Sequence, residues 1–239
     1  FDADVVDIEL LYDNAMIAVN YKYASKYGIK YILSGDNNQT EGFRIPDDWV
    51  WHKYDVQNIK DISKGYTDLI TFPAISTLKK KYYEKVRGID WVNFLDYFTY
   101  DKHKVIEELM AEYSYKPYPY KHYESIFTRF YQGYILPEKF SIDKRRLHLS
   151  NLIAAGQLMR EEALRTMNSI AYPSIDDLEN DKIYFLKKMD WSEDELKKYI
   201  NRPSKPHDLY NSELPNLKRM VLFKNKLKNF LSKIFKFKD

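Results

Sequence analysis

The sequence contains no cysteine, which excludes disulfide bonds, cysteine nucleophiles and thiolate metal sites among its 239 residues. It has only seven glycines and neither a GxGxxG nor a GxxxxGKS/T motif, so no glycine-rich phosphate loop of these types is present. No apolar run approaches the roughly 18 residues that a membrane-spanning helix needs. A net charge of only +3 argues against a general polyanion binder.

The composition is otherwise that of a globular protein, with 44% hydrophobic and 31% charged residues. Apolar residues recur at helical spacing over 7–27, and Gly28 is placed to end that helix. The short apolar run 29–33 then predicts a buried strand, followed by a polar loop over 34–42. This order is typical of a parallel α/β unit, in which ligands bind at the carboxyl ends of the strands.

Helices dominate the remainder of the predicted structure. Residues 89–97 are ambiguous between strand and helix, and Pro137 is expected to end the helix that precedes it. The chain divides into an α/β domain at 1–100, a helical portion at 101–205 and a basic tail at 206–239. The predicted helices span 56–64, 76–86, 101–113, 122–135, 143–159, 160–167, 174–189 and 192–201.

One predicted helix carries a stripe of hydrogen-bonding side chains. At 100° per residue, His122, Ser125, Arg129 and Gln132 fall on a common face. Such a stripe indicates an anionic ligand site, and the alternative is a solvated face or a contact between helices.

A second candidate site lies at the start of the following helix. Lys144, Arg145 and His148 lie one turn apart, and Ser141 or Asp143 could cap the helix. Cationic side chains at a helix N-terminus favour an anion, since the dipole and the free N–H groups act in the same direction. The alternative is a solvated basic patch. Nucleic-acid binding is disfavoured because the interleaved aromatic residues lie at core spacing and no RNA- or DNA-binding signature is present.

Acidic residues and histidines give weaker signals. Asp36 and Glu41 flank the loop after the strand and could hold Mg²⁺ with a nucleotide's phosphates, although a cap or turn role for Asp36 is equally natural. The five histidines show no metal-ligand spacing, so no histidine metal site is predicted.

The segment 216–239 combines an apolar stripe with many lysines. Residues 205–239 carry nine Lys or Arg and three Asp or Glu. A basic amphipathic helix of this kind can dock on the domain or on a partner, which we favour, or can lie on an anionic membrane surface.

Long ungapped runs of the chain resemble the N-acetyl sugar amidotransferase family over about residues 5–210. The runs are Gly35–Glu41 (GDNNQTE), Trp49–Asp55 (WVWHKYD), Lys121–Gln132 (KHYESIFTRFYQ), Leu136–Phe140 (LPEKF), Ile142–Ser150 (IDKRRLHLS), Gly156–Gln157 and Arg160–Leu164 (REEAL).

The resemblance implies an adenine nucleotide α-hydrolase fold of the ATP pyrophosphatase type and a cytoplasmic role in lipopolysaccharide O-antigen or flagellin-glycan biosynthesis, including pseudaminic-type sugars. The implied reaction converts an acetamido group of a sugar or nucleotide-sugar to an acetamidino group. ATP with Mg²⁺ would activate the amide oxygen, and a partner glutaminase would supply ammonia.

The resemblance also suggests roles for individual residues. The implied catalytic residues are His122, Arg129, Lys144, Arg145 and His148. The implied cofactor-binding residues are Ser34, Gly35, Asp36, Asn37 and Glu41, and the implied substrate-binding residues are Lys121, Ser125, Gln132 and Asp143.

Two features of the family are missing from this sequence, namely its SGGxDS-type pyrophosphate loop and its N-terminal cysteine pairs. We therefore expect a C-terminal portion of the enzyme, with a parallel sheet truncated on its N-terminal side and no ATP turnover of its own. A non-catalytic homologue that binds nucleotide-sugar or the glutaminase is the alternative. A tRNA-modifying relative is disfavoured because the cysteines and RNA-binding appendages of such enzymes are absent.

Overall fold

The structure is a computed structural model that describes residues 1–66, 69–118 and 125–236, with side chains as far as residue 226. It is mostly helical. In chain order the elements are α1 (Leu10–Tyr27), β1 (Tyr31–Ser34), α2 (Asn38–Glu41), α3 (Val56–Ser63), α4 (Thr77–Lys85), β2 (Asp90–Asn93), α5 (Lys102–Tyr113), α6 (Ile126–Phe130), α7 (Leu136–Phe140), α8 (Arg145–Ala154), α9 (Arg160–Met167), α10 (Ile175–Met189), α11 (Glu193–Asn201) and α12 (Leu214–Lys236).

The chain forms two compact units, each made of several segments. The first contains Phe1–Asp7, Ile29–Val50 and Asp90–Lys205, and the second contains Ile8–Gly28, Trp51–Ile89 and Pro206–Asp239. The predicted domains at 1–100, 101–205 and 206–239 are continuous, and that division stays a prediction. No helix in the described part of the chain is long and apolar enough to cross a membrane.

The first unit contains a small parallel sheet. β1 pairs with β2 in parallel, with Tyr31 opposite Asp90, and the ambiguous segment 89–97 is thus a strand followed by a 3₁₀ turn. At the carboxyl ends of the strands, Asp96 accepts hydrogen bonds from the backbone and side-chain nitrogens of Asn38, at 2.7 and 2.8 Å. A parallel pair of strands is present, but β1 is not the buried strand that the sequence predicts, since Tyr31 and Leu33 are each more than 60% exposed. The nucleotide α-hydrolase fold remains a prediction.

A continuous helical path runs through Pro137 and contradicts the predicted stop at that residue. The π-helical turn Tyr131–Ile135 joins α6 to α7, and the N–H of Leu136 bonds to the carbonyl of Tyr131. Pro137 then follows at the start of α7, where a missing N–H is tolerated. The path ends instead at Ser141, whose φ of 56° reverses the chain. Ser141 therefore does not cap the following helix as predicted.

The π-helical turn also contains Gly133, the one position on this path where no side chain fits. A Cβ there would lie 2.6 Å from Cε2 of Tyr172 and 2.7 Å from the carbonyl oxygen of Ala171. The absence of a side chain at Gly133 therefore lets the segment before α10 pack directly against the π-helical turn. Four apolar residues of this region are buried, namely Phe130, Ile135, Leu136 and Phe185.

Buried charges fasten the first residues of the first unit to its helices. Asp4 accepts from Arg202 Nε at 2.6 Å, and Lys139 Nζ lies 3.2 Å from the same oxygen. Lys139 also donates to the carbonyl oxygens of Tyr199 and Arg202, each at 2.6 Å. The cluster thereby joins the N-terminal segment, α7 and the end of α11.

In the second unit, α1, α3 and α4 are connected through buried polar side chains. Asn14 on α1 donates to the carbonyl oxygens of Lys53 and Ile75 and accepts from the Ile75 N–H. Asp55 caps α3 and also accepts hydrogen bonds from Trp51, Ser212 and the Glu213 N–H. Gly28 ends α1 with a φ of 70°, as predicted.

The cluster around Asp4 should make stability depend on pH in acid. Burial raises the pKa of Asp4, but hydrogen bonds from Arg202 and Lys139 outweigh it, so the pKa lies below the usual 3.8. The stabilisation is therefore complete well above pH 3.8 and is lost as pH falls through the folded-state pKa.

We expect Asp4→Asn to lower the free energy of unfolding by about 3 kcal/mol at pH 7, because it leaves the buried ammonium group of Lys139 without its carboxylate partner. The deficit should shrink in acid, as measured by urea unfolding at pH 7 and pH 3. The exposed neighbour Asp2 provides the control, and Asp2→Asn should cost less than about 1 kcal/mol. An equal loss in both variants would contradict the assignment.

Candidate functional site

Five of the residues singled out in the sequence line one pocket in the first unit, a cavity of about 190 Å³. The π-helical turn supplies one of them, and the segment leading into α8 supplies the others. They are Gln132, Asp143, Lys144, Arg145 and His148. Leu149 and Leu152 provide an apolar wall, so the pocket combines a hydrophobic side with a polar, mainly basic one.

The guanidinium of Arg145 builds the wall of this pocket. Its Nε and Nη2 bond to the carboxylate of Asp143, with Nη2–Oδ2 at 2.8 Å. Its Nη1 donates to the carbonyl oxygens of Thr166 and Ile170, and Nη2 donates to that of Ser169, all within 3.1 Å. Because these bonds use all five N–H donors of an arginine, phosphate binding by Arg145 would require one of them to break. The geometry assigns Arg145 a positioning role.

Asp143 has a local role as well. Its Oδ1 accepts the N–H of Arg145 at 2.9 Å and so satisfies a free donor at the start of α8. The N-cap residue is nevertheless Lys144, and not Asp143 as predicted. Its charge is balanced by the Arg145 guanidinium, and the pocket therefore keeps a basic character from its other side chains.

Lys144 and His148 are the predicted catalytic side chains that remain best placed for a ligand. Lys144 precedes α8 and His148 lies one turn later, so both line the pocket from the same helix end. The ammonium nitrogen of Lys144 lies 6.0 Å from the centre of the Tyr131 ring. The N-terminus of α8 adds its dipole to these groups, which favours a negatively charged or electron-rich ligand atom.

Two further pocket residues, Lys102 and His103, escaped the sequence analysis. They begin α5, where Asp101 caps the helix by accepting from the His103 and Lys104 N–H groups. Burial lowers the pKa of Lys102, which favours its neutral form more than in an exposed lysine.

Gln157 explains how α5 reaches the pocket. Its Oε1 accepts the Lys102 N–H at 3.1 Å, and its Nε2 donates to the Tyr100 carbonyl at 2.8 Å. The pair Gly156–Gln157 was one of the runs that carried the family resemblance. The sequence thus marked Gln157 as a residue shared with the family, but it did not indicate that Gln157 contacts the start of α5.

The side chains of the stripe predicted for the helix at 122–135 do not form one site. Arg129 pairs with the buried Asp181, with Nη2–Oδ1 at 2.6 Å, and does not line the pocket. That hydrogen-bonded pairing raises the pKa of Arg129. Ser125 caps α6 by accepting the Thr128 N–H, and only Gln132 reaches the pocket. Lys121 and His122 lie outside the described residues, so their roles stay predictions.

The loop after β1 holds the five residues predicted to bind the cofactor. Ser34 donates to Asp36 at 2.6 Å, and Asn37 caps α2 by accepting the Thr40 N–H. None of Ser34, Gly35, Asp36, Asn37 and Glu41 lines the pocket, and no cluster of three or more His, Asp or Glu occurs in the described part of the chain. Mg²⁺ at this loop would need phosphate oxygens or water for most of its ligands. ATP and Mg²⁺ stay predictions.

The tail forms α12, and its apolar residues are not covered over the part whose side chains are described. Met220, Val221, Leu222 and Phe223 are all more than half exposed. Three residues of the predicted stripe, Met220, Val221 and Phe223, are therefore not packed on the domain, and docking of the stripe stays a prediction. A partner and a membrane surface remain the alternatives.

Comparison with known proteins gives one match. Residues 124–225 match the model of a family described as LPS biosynthesis protein WbpG-like, C-terminal domain. No curated protein and no solved structure matches the chain. The matched segment covers less than half of the chain and contains α8 and α9, which build the pocket. The match supports the WbpG-like family and a role in lipopolysaccharide biosynthesis.

The positioning role of Arg145 can be tested by stability. We expect Arg145→Ala to lower the free energy of unfolding by about 2–4 kcal/mol, because it leaves Asp143 and three carbonyl groups without their donor. Arg145→Lys should not rescue the loss, since lysine lacks the planar fork. Arg146 is the matched control, and its exposed side chain should change stability by less than about 0.5 kcal/mol in urea unfolding. Equal losses of stability in Arg145→Ala and Arg146→Ala would refute the positioning role of Arg145.

Proposed function

We propose that the chain acts in lipopolysaccharide biosynthesis as a sugar amidotransferase, or as the larger part of one, that converts an acetamido group to an acetamidino group. The coarser part, a role in lipopolysaccharide biosynthesis, is supported by the match of residues 124–225. The finer part, the amidotransferase reaction, is supported by the sequence resemblance and by the chemistry of the pocket.

The observation that carries the proposal is the meeting of Lys144 and His148 with Lys102 and His103 in one pocket. The first pair comes from the matched segment and the second from α5, which precedes it. Such a set offers ammonium groups that can neutralise negative charge and imidazole groups that can accept or donate a proton. An apolar wall beside it suits the non-polar face of a sugar ring and its acetyl methyl group.

The proposed reaction has two steps. The amide oxygen attacks the α-phosphorus of ATP and pyrophosphate leaves, after which ammonia adds to the amide carbon and AMP departs with the oxygen. ATP supplies the leaving group for this chemistry. Orientation and charge neutralisation then contribute most of the acceleration, since an amide oxygen is a weak nucleophile.

The residues of the pocket take distinct parts in this proposal. Lys144 neutralises the phosphate that becomes attached to the amide oxygen, and His148 accepts a proton from the attacking ammonia. Gln132 hydrogen-bonds the sugar. Arg145 and Asp143 hold the start of α8 in place without contacting the substrate.

Further components belong to the proposal as well. A glutaminase partner supplies ammonia, and Mg²⁺-ATP is bound with the help of the loop that contains Ser34, Asp36 and Glu41. The exposed apolar residues of α12 would serve a partner or an anionic membrane surface. Each of these rests on the resemblance or on exposure alone.

A non-catalytic module that binds nucleotide-sugar is the second candidate function. Arg129 and Arg145 favour it, because these two predicted catalytic cations are committed to Asp181 and to the pocket wall. Such a module would retain the pocket and its ligand without performing the reaction.

The test measures pyrophosphate release from ATP and amidine formation by this chain and by a version extended with an SGGxDS-type pyrophosphate loop, because we expect no ATP turnover without that loop. Acetamido nucleotide-sugars and ammonium chloride are the substrates. We expect Lys144→Ala and His148→Ala each to lower kcat/KM roughly 10²-fold, because charge neutralisation or proton transfer is lost. Arg146→Ala removes a neighbouring charge that does not line the pocket, and its rate should stay within about twofold.

Binding measured by calorimetry without ATP separates the two candidate functions. Sugar binding that weakens in Lys144→Ala, together with no turnover by the extended version supplied with ammonia, would favour the binding module. No sugar binding and no turnover would refute both.

A further inference from the structure

A second and larger cavity lies in the second unit, away from all the residues discussed as candidate site residues. Its volume is about 580 Å³, within the range of small-molecule sites. It is bounded by α1, α3 and α4 and by the segment 69–76, and Glu213 closes one side.

Three lysines, one from each helix, line this cavity. They are Lys22 on α1, Lys60 on α3 and Lys79 on α4. Within the described residues none of the three makes an ion pair, whereas Lys53 and Lys80 of the same unit pair with Asp13 and Glu84. All three lysines are exposed, and three like charges around one cavity attract an anion more strongly than a single lysine does.

The lining offers little to balance these charges. Among the described lining residues Glu213 is the one carboxylate. Burial, with the charge of Asp55 adding to it, raises the pKa of Glu213, so its ionised form is disfavoured relative to an exposed glutamate. Among the described lining residues, positive charge therefore outweighs negative charge.

Hydrogen bonds hold the wall of the cavity at Ile75 and Ser76. Ile75 is fully buried, and both its N–H and its carbonyl bond to the side chain of Asn14 on α1. Ser76 then caps α4 by accepting the Lys79 N–H. Since Ile75 is bonded to α1 and Ser76 to α4, a ligand would meet a preorganised wall at these two residues.

From these observations we infer that the cavity between α1, α3 and α4 binds a small molecule that carries a diphosphate group, through Lys22, Lys60 and Lys79. Three ammonium groups match the charge of a diphosphate better than that of a single phosphate, which carries about −1.5 to −2. Phe72 and Tyr83 line the same cavity and give an organic substituent of the ligand an aromatic surface to pack against. The site is independent of the pocket beside α8.

The test uses inorganic pyrophosphate as the probe and calorimetry on the full chain. We expect saturable binding by the wild type, tighter than that of orthophosphate or sulfate. Lys60→Ala and Lys79→Ala should each weaken it about tenfold, because each removes one charge-assisted contact. Lys60→Arg and Lys79→Arg should retain most of the affinity, since the charge is kept.

Lys81 supplies the matched control. It is an exposed lysine on α4, like Lys79, but it does not line the cavity, and Lys81→Ala should change the affinity by less than about twofold. Equal weakening by Lys79→Ala and Lys81→Ala would show a diffuse surface effect and overturn the proposal. Absence of saturable pyrophosphate binding by the folded wild type would overturn it as well.

Discussion

The candidate site depends on the hydrogen bonds that the guanidinium group of Arg145 makes. One guanidinium joins the carboxylate of Asp143 to three carbonyl groups at and after the end of α9, and it thereby holds the start of α8 beside that end. Carbonyl groups at a helix C-terminus carry partial negative charge, so a cation is favourable there. With this wall in place, Lys144 and His148 line the same cavity as side chains from α5.

Buried polar groups have a similar part elsewhere in the molecule. Asp4 with its cations joins three segments of the first unit, and Asn14 and Asp55 join the helices of the second. Each such group is costly to bury alone, and each finds several partners from distant positions in the sequence. These contacts fix the arrangement of short helices, which by themselves have little stability in water.

Local sequence signals predicted most of the helices, because caps and periodicity act within a few residues. Gly28, Asp55, Ser76 and Ser174 end or begin helices as expected. The prediction failed at Pro137, where the π-helical turn changes the hydrogen-bond register and lets the helical path continue. The same turn invalidates the 100° rule between Arg129 and Gln132, so those residues separate.

The sequence by itself determined the helical segments, the basic run at 144–148 and the resemblance that points to lipopolysaccharide biosynthesis, since these are properties of local composition and order. Only the tertiary structure decided which charges are used within the fold and which face a cavity. Arg145 and Lys144 are neighbours of similar charge, yet one donates every N–H to the protein and the other lines the pocket. The partners that make the difference, at 166–170 and 102–103, are distant in sequence, and no local pattern specifies them.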